Sequence, residues 1–215
     1  MVSNIAIFNS LLKGLAVTLQ VLGYSVVLAL GLSFIFGFLS LSKWKIAKIV
    51  SHLYIEIFRG TSLLVQLFWL YFSLPILGIQ LPAMLVGVLG LGLNYGAYGA
   101  VVVKTSIQAV PKGQFEASVA LNMSPFRRMR SVILPQAFLI MLPTFSNLTI
   151  ELLKGTSLVS LVTLSDLTFQ AMALRSATME TVKIFTILLI LYFIVAYPIT
   201  LAFRWLEKKL SVGRG

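Results

Sequence analysis

Apolar residues run along this chain in blocks of about 20 or more, the length an α-helix needs to cross a bilayer. Five such blocks stand out, at about 13–39, 54–77, 84–106, 132–153 and 182–204. Basic residues collect in alternate breaks between them. Lys43, Lys45 and Lys48 follow the first block; Lys112, Arg127, Arg128 and Arg130 follow the third; Arg204, Lys208, Lys209 and Arg214 close the chain. The opposite breaks hold the uncharged stretch ILGIQLPA at 76–83 and the mixed set Lys154, Asp166, Arg175 and Glu180. Positively charged loops stay in the cytoplasm, so the pattern predicts an N-terminus outside and a cytoplasmic C-terminus. The expected fold is an all-α membrane protein of five transmembrane helices, forming a single domain over 1–215. The first block runs on past Phe38 without a small-residue cleavage site, as a retained span does and a cleaved signal does not.

The long break at about 110–131 is cytoplasmic on this topology and has a helical period of its own. Phe115, Val119, Met123 and Phe126 recur at spacings of four, four and three, with Glu116 beside them; this is one face of a helix. Pro111 opens a first short helix. Ser124 and Pro125 supply an N-cap and a first-turn proline for a second. Asn122, between them, is among the few non-glycine residues that readily adopt a left-handed turn. The loop reads as two short helices meeting at an angle. The other polar break, 155–181, is too polar to span and too apolar for a free linker; its TSLVSLVTL at 156–164 either lies flat or dips partway into the membrane.

Composition narrows the chemistry. Only 11% of residues are charged, whereas an ordinary globular protein has about a quarter. Most of the basic residues behind the net charge of +11 are interleaved between spans, where they report topology rather than a nucleic-acid partner. With no cysteine there is no disulfide, thiol redox pair or zinc-thiolate site. The single His52 lacks a second histidine at helical spacing and reads as an interfacial polar residue. No stretch matches the phosphate-cradling pattern Gly-x4-Gly-Lys-Ser/Thr, so any ATP that powers this chain binds elsewhere.

The long loop resembles the cytoplasmic motif of ABC-importer permeases: Glu-Ala-Ala, three residues, Gly, nine residues, then Ile-x-Leu-Pro. Here it reads Glu116-Ala117-Ser118, three residues, Asn122, nine residues, then Val132-Ile133-Leu134-Pro135. YIEIFRGTSLLVQLF at 54–68, NYGAYGA at 94–100, IQAVPKGQFEA at 107–117, SVILPQA at 131–137 and ELLKGTSLVS at 151–160 are similar to the polar-amino-acid branch. The chain departs from that branch at Ser118 and Asn122. It departs again at Val101 and Lys104, where an acid and an arginine are usual, and at Leu148, where an acid often stands. Val101 and LSDLTFQAMALR at 164–175 resemble the ectoine and hydroxyectoine subgroup.

The resemblance implies a half-transporter of the bacterial inner membrane that performs no covalent chemistry. Its partners would be two copies of a cytoplasmic ATPase, a second permease subunit, identical or sister, and an extracytoplasmic solute-binding protein. ATP and Mg would be bound by the ATPase, with no cofactor on this chain. Glu116, Ala117, Ser118, Asn122, Leu134 and Pro135 would couple the permease to that ATPase. Arg127, Arg128 and Arg130 would touch the ATPase or anionic headgroups.

Solute would cross between two permeases, so polar residues within the spans are pathway candidates. Asn94, Tyr95 and Tyr98 lie in the third block and Gln66 in the second; Asn147, Glu151 and Lys154 share one face of the fourth. Glu151 and Lys154 are one turn apart and read equally as an ion pair or as solute contacts. Glu56 and Arg59 read as an interfacial pair. Gly92, Gly96 and Ala100 allow close approach of a helix, from the partner permease or from the same chain. The rival reading is a secondary transporter driven by an ion gradient, which favours an inverted repeat and interrupted helices around a midplane site. A membrane enzyme would need a nucleophile–base or metal constellation, and none stands out.

Overall fold

The computed structural model describes residues 4–211; Arg214, the last of the tail's basic residues, lies outside them. All regular elements among these residues are helical. In chain order they are α1 (Asn4–Leu41), α2 (Lys45–Gly60), α3 (Leu63–Phe68), α4 (Ala83–Gln108), α5 (Lys112–Ala120), α6 (Pro125–Arg128), α7 (Leu134–Gly155), α8 (Leu167–Thr178) and α9 (Thr181–Ser211). Four helical stretches are long and apolar enough to cross a membrane: Ile5–Leu41, Ala83–Gln108, Pro125–Val162 and Thr181–Leu210. The block expected at 54–77 is divided instead. Lys45–Gly60 and Leu63–Leu77 pass the same test only together, and they meet at a bend of 100°.

Two wide turns have a common cause. Trp69–Ser73 and Met129–Ile133 are π-helical, and each is followed by a leucine and then a proline, Leu74-Pro75 and Leu134-Pro135. Proline has no N–H to donate, and its ring clashes with the carbonyl four residues back. The chain responds by widening one turn, so that Leu74 N–H donates to the Trp69 carbonyl and Leu134 N–H to that of Met129. The helix therefore continues from Pro125 through α7 without a break.

The core lies where α1, α4 and α7 meet. α4 presents small residues to α1. A Cβ added at Gly96 would stand 2.9 Å from the Leu32 side chain and 2.8 Å from the Tyr54 hydroxyl, so only glycine admits both neighbours. Gly92 meets Leu28 in the same way, and Ala100 is fully buried. The small-residue stripe is thus used inside the chain. Phe34, Met141 and Phe145 fill the other side of α4, against Val103 and Ile107.

Segment 155–181 folds back onto the bundle. Thr156–Val162 forms a 3-10 turn whose Val159 and Val162 are fully buried against Leu67, Val86 and Leu91. Thr163, with φ 60°, then reverses the chain, and its hydroxyl is hydrogen-bonded to that of Tyr71. Asp166 is fully buried and supplies the N-cap of α8. Its carboxylate accepts from the N–H groups of Phe169 at 2.9 Å and Thr168 at 3.3 Å. α8 is pinned to α1 by Leu167 N–H donating to Thr18 Oγ1 (3.0 Å) and by Ser10 Oγ donating to Gln170 (2.8 Å). Thr168 and Tyr192 hydroxyls, 3.0 Å apart, pin it to α9. Burial pushes the Asp166 carboxyl up to about 6, against the opposing effect of those backbone donors.

Candidate functional site: a closed loop and an exposed polar strip

The long loop is built to hold its shape. α5 ends in a Schellman motif: Asn122 N–H donates to the Val119 carbonyl (2.9 Å), and Met123 N–H reaches back to Ser118 (3.1 Å). Such an ending requires a left-handed residue, and Asn122 takes it at φ 58°. Ser124 then caps α6, its hydroxyl accepting from Arg127 N–H at 3.4 Å, with Pro125 in the first turn. The single face expected through Phe115, Val119, Met123 and Phe126 is therefore split between two helices. Three of its residues still reach the surface: Phe115, Val119 and Phe126 are exposed, while Met123 is half-buried.

Arg128 closes the loop from within. Its guanidinium lies 4.5 Å from the centre of the Phe115 ring, and Nη2 donates to the Met123 carbonyl at 3.4 Å. Arg127 and Arg130 are exposed. Gln136 on α7 donates to Gln114 on α5 (3.2 Å), tying the loop to the helix that follows. Ser118 is buried, and its hydroxyl is satisfied by the Phe115 carbonyl at 2.6 Å, so the extra oxygen is accommodated where the motif has alanine. Glu116 and Ala117 are exposed, and Glu116 makes no ion pair among the described residues. Leu134 and Pro135 line a groove with Arg130, Phe138, Leu139 and Leu210.

Within the bundle the polar candidates separate into two groups. Gln66 and Asn94 are turned to the chain's own backbone. Gln66 Nε2 donates to the Phe58 carbonyl (3.0 Å) and to Thr61 Oγ1 (2.7 Å); Asn94 Nδ2 donates to the same carbonyl (2.8 Å) and lies 3.3 Å from Gln66 Oε1. The bend leaves that carbonyl without its helical partner, and two side-chain amides replace it. A cavity of about 330 Å³ lies in the angle of the bend, lined by Phe58, Thr61, Gln66 and Trp69 among others.

The second group is exposed. Asn147, Glu151 and Lys154 are all exposed along one face of α7. No ion pair joins Glu151 to Lys154, although they stand one turn apart. Tyr95 donates its hydroxyl to the Glu151 carbonyl at 2.8 Å, bracing α4 against α7. Tyr98 is the one exposed residue of 91–100.

α2 adds a third side that the sequence did not reveal. Its buried face carries Ser51, Tyr54 and Ile55; a second face exposes Ile46, Ile49, Leu53 and Ile57; a third exposes Lys45, Lys48, His52, Glu56 and Arg59. The expected Glu56–Arg59 pair does not form. Glu56 Oε1 lies 3.8 Å from His52 Nδ1, while the Arg59 guanidinium sits 5.0 Å from the centre of the Tyr98 ring. Tyr98 thus meets Arg59 on α2 and, through the neighbouring Tyr95 ring, is linked to the Glu151 backbone on α7. The side chains of this strip present hydrogen-bond donors, acceptors and charges of both signs at the surface. No group of three or more metal-ligating acids or histidines occurs among the described residues.

Comparison with known proteins agrees with this geometry. Residues 29–212 match the profile of the family described as the binding-protein-dependent transport system inner membrane component. A probable amino-acid ABC transporter permease of Sinorhizobium fredii is 48% identical, covering 94% of this chain and 88% of its own. The arginine transport system permease of Bacillus subtilis is 32% identical, over 94% and 92%. Among solved structures, an amino acid ABC transporter crystallised with histidines superposes with a TM-score of 0.88 at 34% identity, covering 94% of each chain. A methionine ABC transporter in an inward-facing conformation superposes at 0.79 with 21% identity, covering 94% of this chain and 96% of its own, a likeness of fold.

Proposed function

The chain belongs to the binding-protein-dependent transport system inner membrane component family, and from that premise we propose that the solute it carries is a polar amino acid. It is a permease subunit of an ABC importer in the inner membrane, a transport component whose ATPase is a separate chain. The observation that carries the solute class is the 48% identity, over almost the whole chain, to a permease named for amino acids. Relatives named for arginine, glutamine and cystine point the same way. The ectoine-like subgroup is the narrower version of this reading and enters the test as one solute.

In the proposed assembly two permeases face each other across their polar strips, with Tyr98, Asn147, Glu151 and Lys154 toward the pathway and Tyr95 bracing them. Gln66 and Asn94 shape the pathway wall by holding the bend. Five spans cross the membrane if the bent pair counts as one, with the N-terminus outside and the loop in the cytoplasm. The loop docks on one of two ATPase copies, Glu116 meeting basic or polar groups there, while a solute-binding protein delivers solute from outside. ATP and Mg stay on the ATPase. ATP-bound partners that hold one conformation more tightly than the other shift the permease between outward and inward openings.

The test is ATP hydrolysis by the full assembly in liposomes, titrated with arginine, glutamine, cystine and ectoine. Stimulation by an amino acid supports the reading and names the solute, whereas stimulation by ectoine alone moves the chain to the narrower subgroup. With assembly verified, no stimulation by any of the four rejects this solute class.

A further inference from the structure

Arg59 is out of place for an interfacial residue. The helix it ends, α2, runs inward along α1 and α4: Ser51 donates to the Phe36 carbonyl, Tyr54 to that of Leu93, and the Phe58 carbonyl accepts from Asn94. Its partner Tyr98 stands ten residues before the end of α4 and fifteen after its start. At about 1.5 Å per residue that is about 15 Å from one end and about 22 Å from the other. The guanidinium is therefore held near half depth, and the Tyr98 ring fixes it there rather than letting it extend toward the headgroups.

An arginine at that depth faces water, a partner or a solute, because hydrocarbon excludes it. Within the chain its charge is unspent. Glu56, one turn back, lies by His52, and Arg59 makes no hydrogen bond or ion pair among the described residues. A guanidinium held over a ring without a hydrogen-bond partner keeps donors free, and its fork matches both oxygens of a carboxylate. The face it occupies continues through Tyr98 and Tyr95, whose rings are 6.4 Å apart, to Glu151 on α7.

We infer that Arg59 is a solute-binding residue of the membrane pathway, its guanidinium receiving the α-carboxylate of the amino acid while Tyr98 holds it at depth. This rests on the importer reading above. The α-carboxylate is the one anionic group shared by arginine, glutamine and cystine, so a fixed cation can serve any of them. The competing occupant is a carboxylate or carbonyl of the second permease, which would make Arg59 part of the subunit interface.

The experiment measures uptake of labelled arginine and glutamine together with ATP hydrolysis, in liposomes holding the full assembly with wild type, Arg59→Gln or Arg59→Lys. Solute-stimulated hydrolysis by wild type tests the importer reading; its absence defeats that reading and this inference with it. Given stimulation, Arg59→Gln should keep assembly but lower uptake per ATP at least tenfold, and Arg59→Lys should recover part of it. Unchanged uptake per ATP overturns the inference. Loss of assembly in Arg59→Gln, with stimulation and uptake falling in proportion, also overturns it and assigns the residue to the interface.

Discussion

The side-chain amides of Gln66 and Asn94 converge on one acceptor, the carbonyl of Phe58, at 3.0 and 2.8 Å. That carbonyl belongs to the last turn of α2, where the 100° bend has removed its helical donor. Buried Asn94 reaches it from α4, so the bend is fastened both within its own segment and from a neighbouring helix.

Removing either amide leaves this half-buried carbonyl one donor, and removing both orphans it, at about 1–3 kcal/mol. Asn94→Leu should lower the thermal midpoint of the purified assembly, and Gln66→Leu should do so less, because Asn94 is buried and Gln66 only half-buried. The double variant should exceed the sum by at least about 0.5 kcal/mol, as expected where either amide alone can serve the one acceptor. Additive losses in the unfolding transitions would mean that the two amides act separately.

Asn122 sets the angle of the loop through its positive φ. Asn122→Gly should leave stimulated ATP hydrolysis within twofold of wild type, because glycine adopts this conformation freely. Asn122→Val forces a β-branched residue into the left-handed region, at about 1–2 kcal/mol, and should weaken ATPase binding about tenfold. Titrating the ATPase into permease-containing nanodiscs checks both.

Glu116 is exposed on a loop whose shape does not depend on it. Glu116→Lys should therefore express and insert normally, with an unchanged unfolding midpoint, and lose at least tenfold in solute-stimulated hydrolysis. Normal uptake by this variant would remove Glu116 from the coupling contact. Arg128→Ala should act differently. It strips the guanidinium from the Phe115 ring. A cation–π contact of this kind contributes about 1 kcal/mol, so the loop itself should become sensitive to proteolysis.

Asp166 carries a pH signature. Its folded carboxyl titrates near 6 rather than 3.8, so the folded state holds the proton more tightly than the unfolded chain. The stability gained this way is fully present below about 4 and is lost as pH rises through about 6. Asp166→Asn keeps a cap acceptor and removes the titration. The variant's unfolding midpoint should gain on wild type between about pH 4 and about pH 6.5; a constant difference across that range would show that burial does not shift this carboxyl.

How far the sequence could be read depended on the reach of each interaction. Asn122, Ser124 and Pro125 act on backbone within a few residues, so the paired helices of the loop were predictable from local preference alone. Asp166 is equally local: it stands directly before an apolar helical period, the ordinary signal of an N-cap, which could have been noticed. The divided second span was not legible, because Leu63–Leu77 is as apolar as a continuous helix and the amide that fastens the bend comes from Asn94, 36 residues from its acceptor. The same distance hid Arg59. Spacing paired it with Glu56, whereas the fold offered Tyr98, 39 positions away. The stripe of Gly92, Gly96 and Ala100 announced a close neighbour but not which one, since small size carries no label for its partner.

The unbroken course from Pro125 into α7, together with the three residues between Gln108 and Lys112, gives the loop a mechanical property. It hangs between two stiff rods with no slack on either side. In the proposed transporter a displacement of the α5–α6 pair would be carried to α4 through that short link and to α7 through the continuous helix. The glycine contacts of α4 extend that stiffness to α1. A stroke made at the loop would then arrive at Tyr98 on α4 and Glu151 on α7 as leverage along those rods.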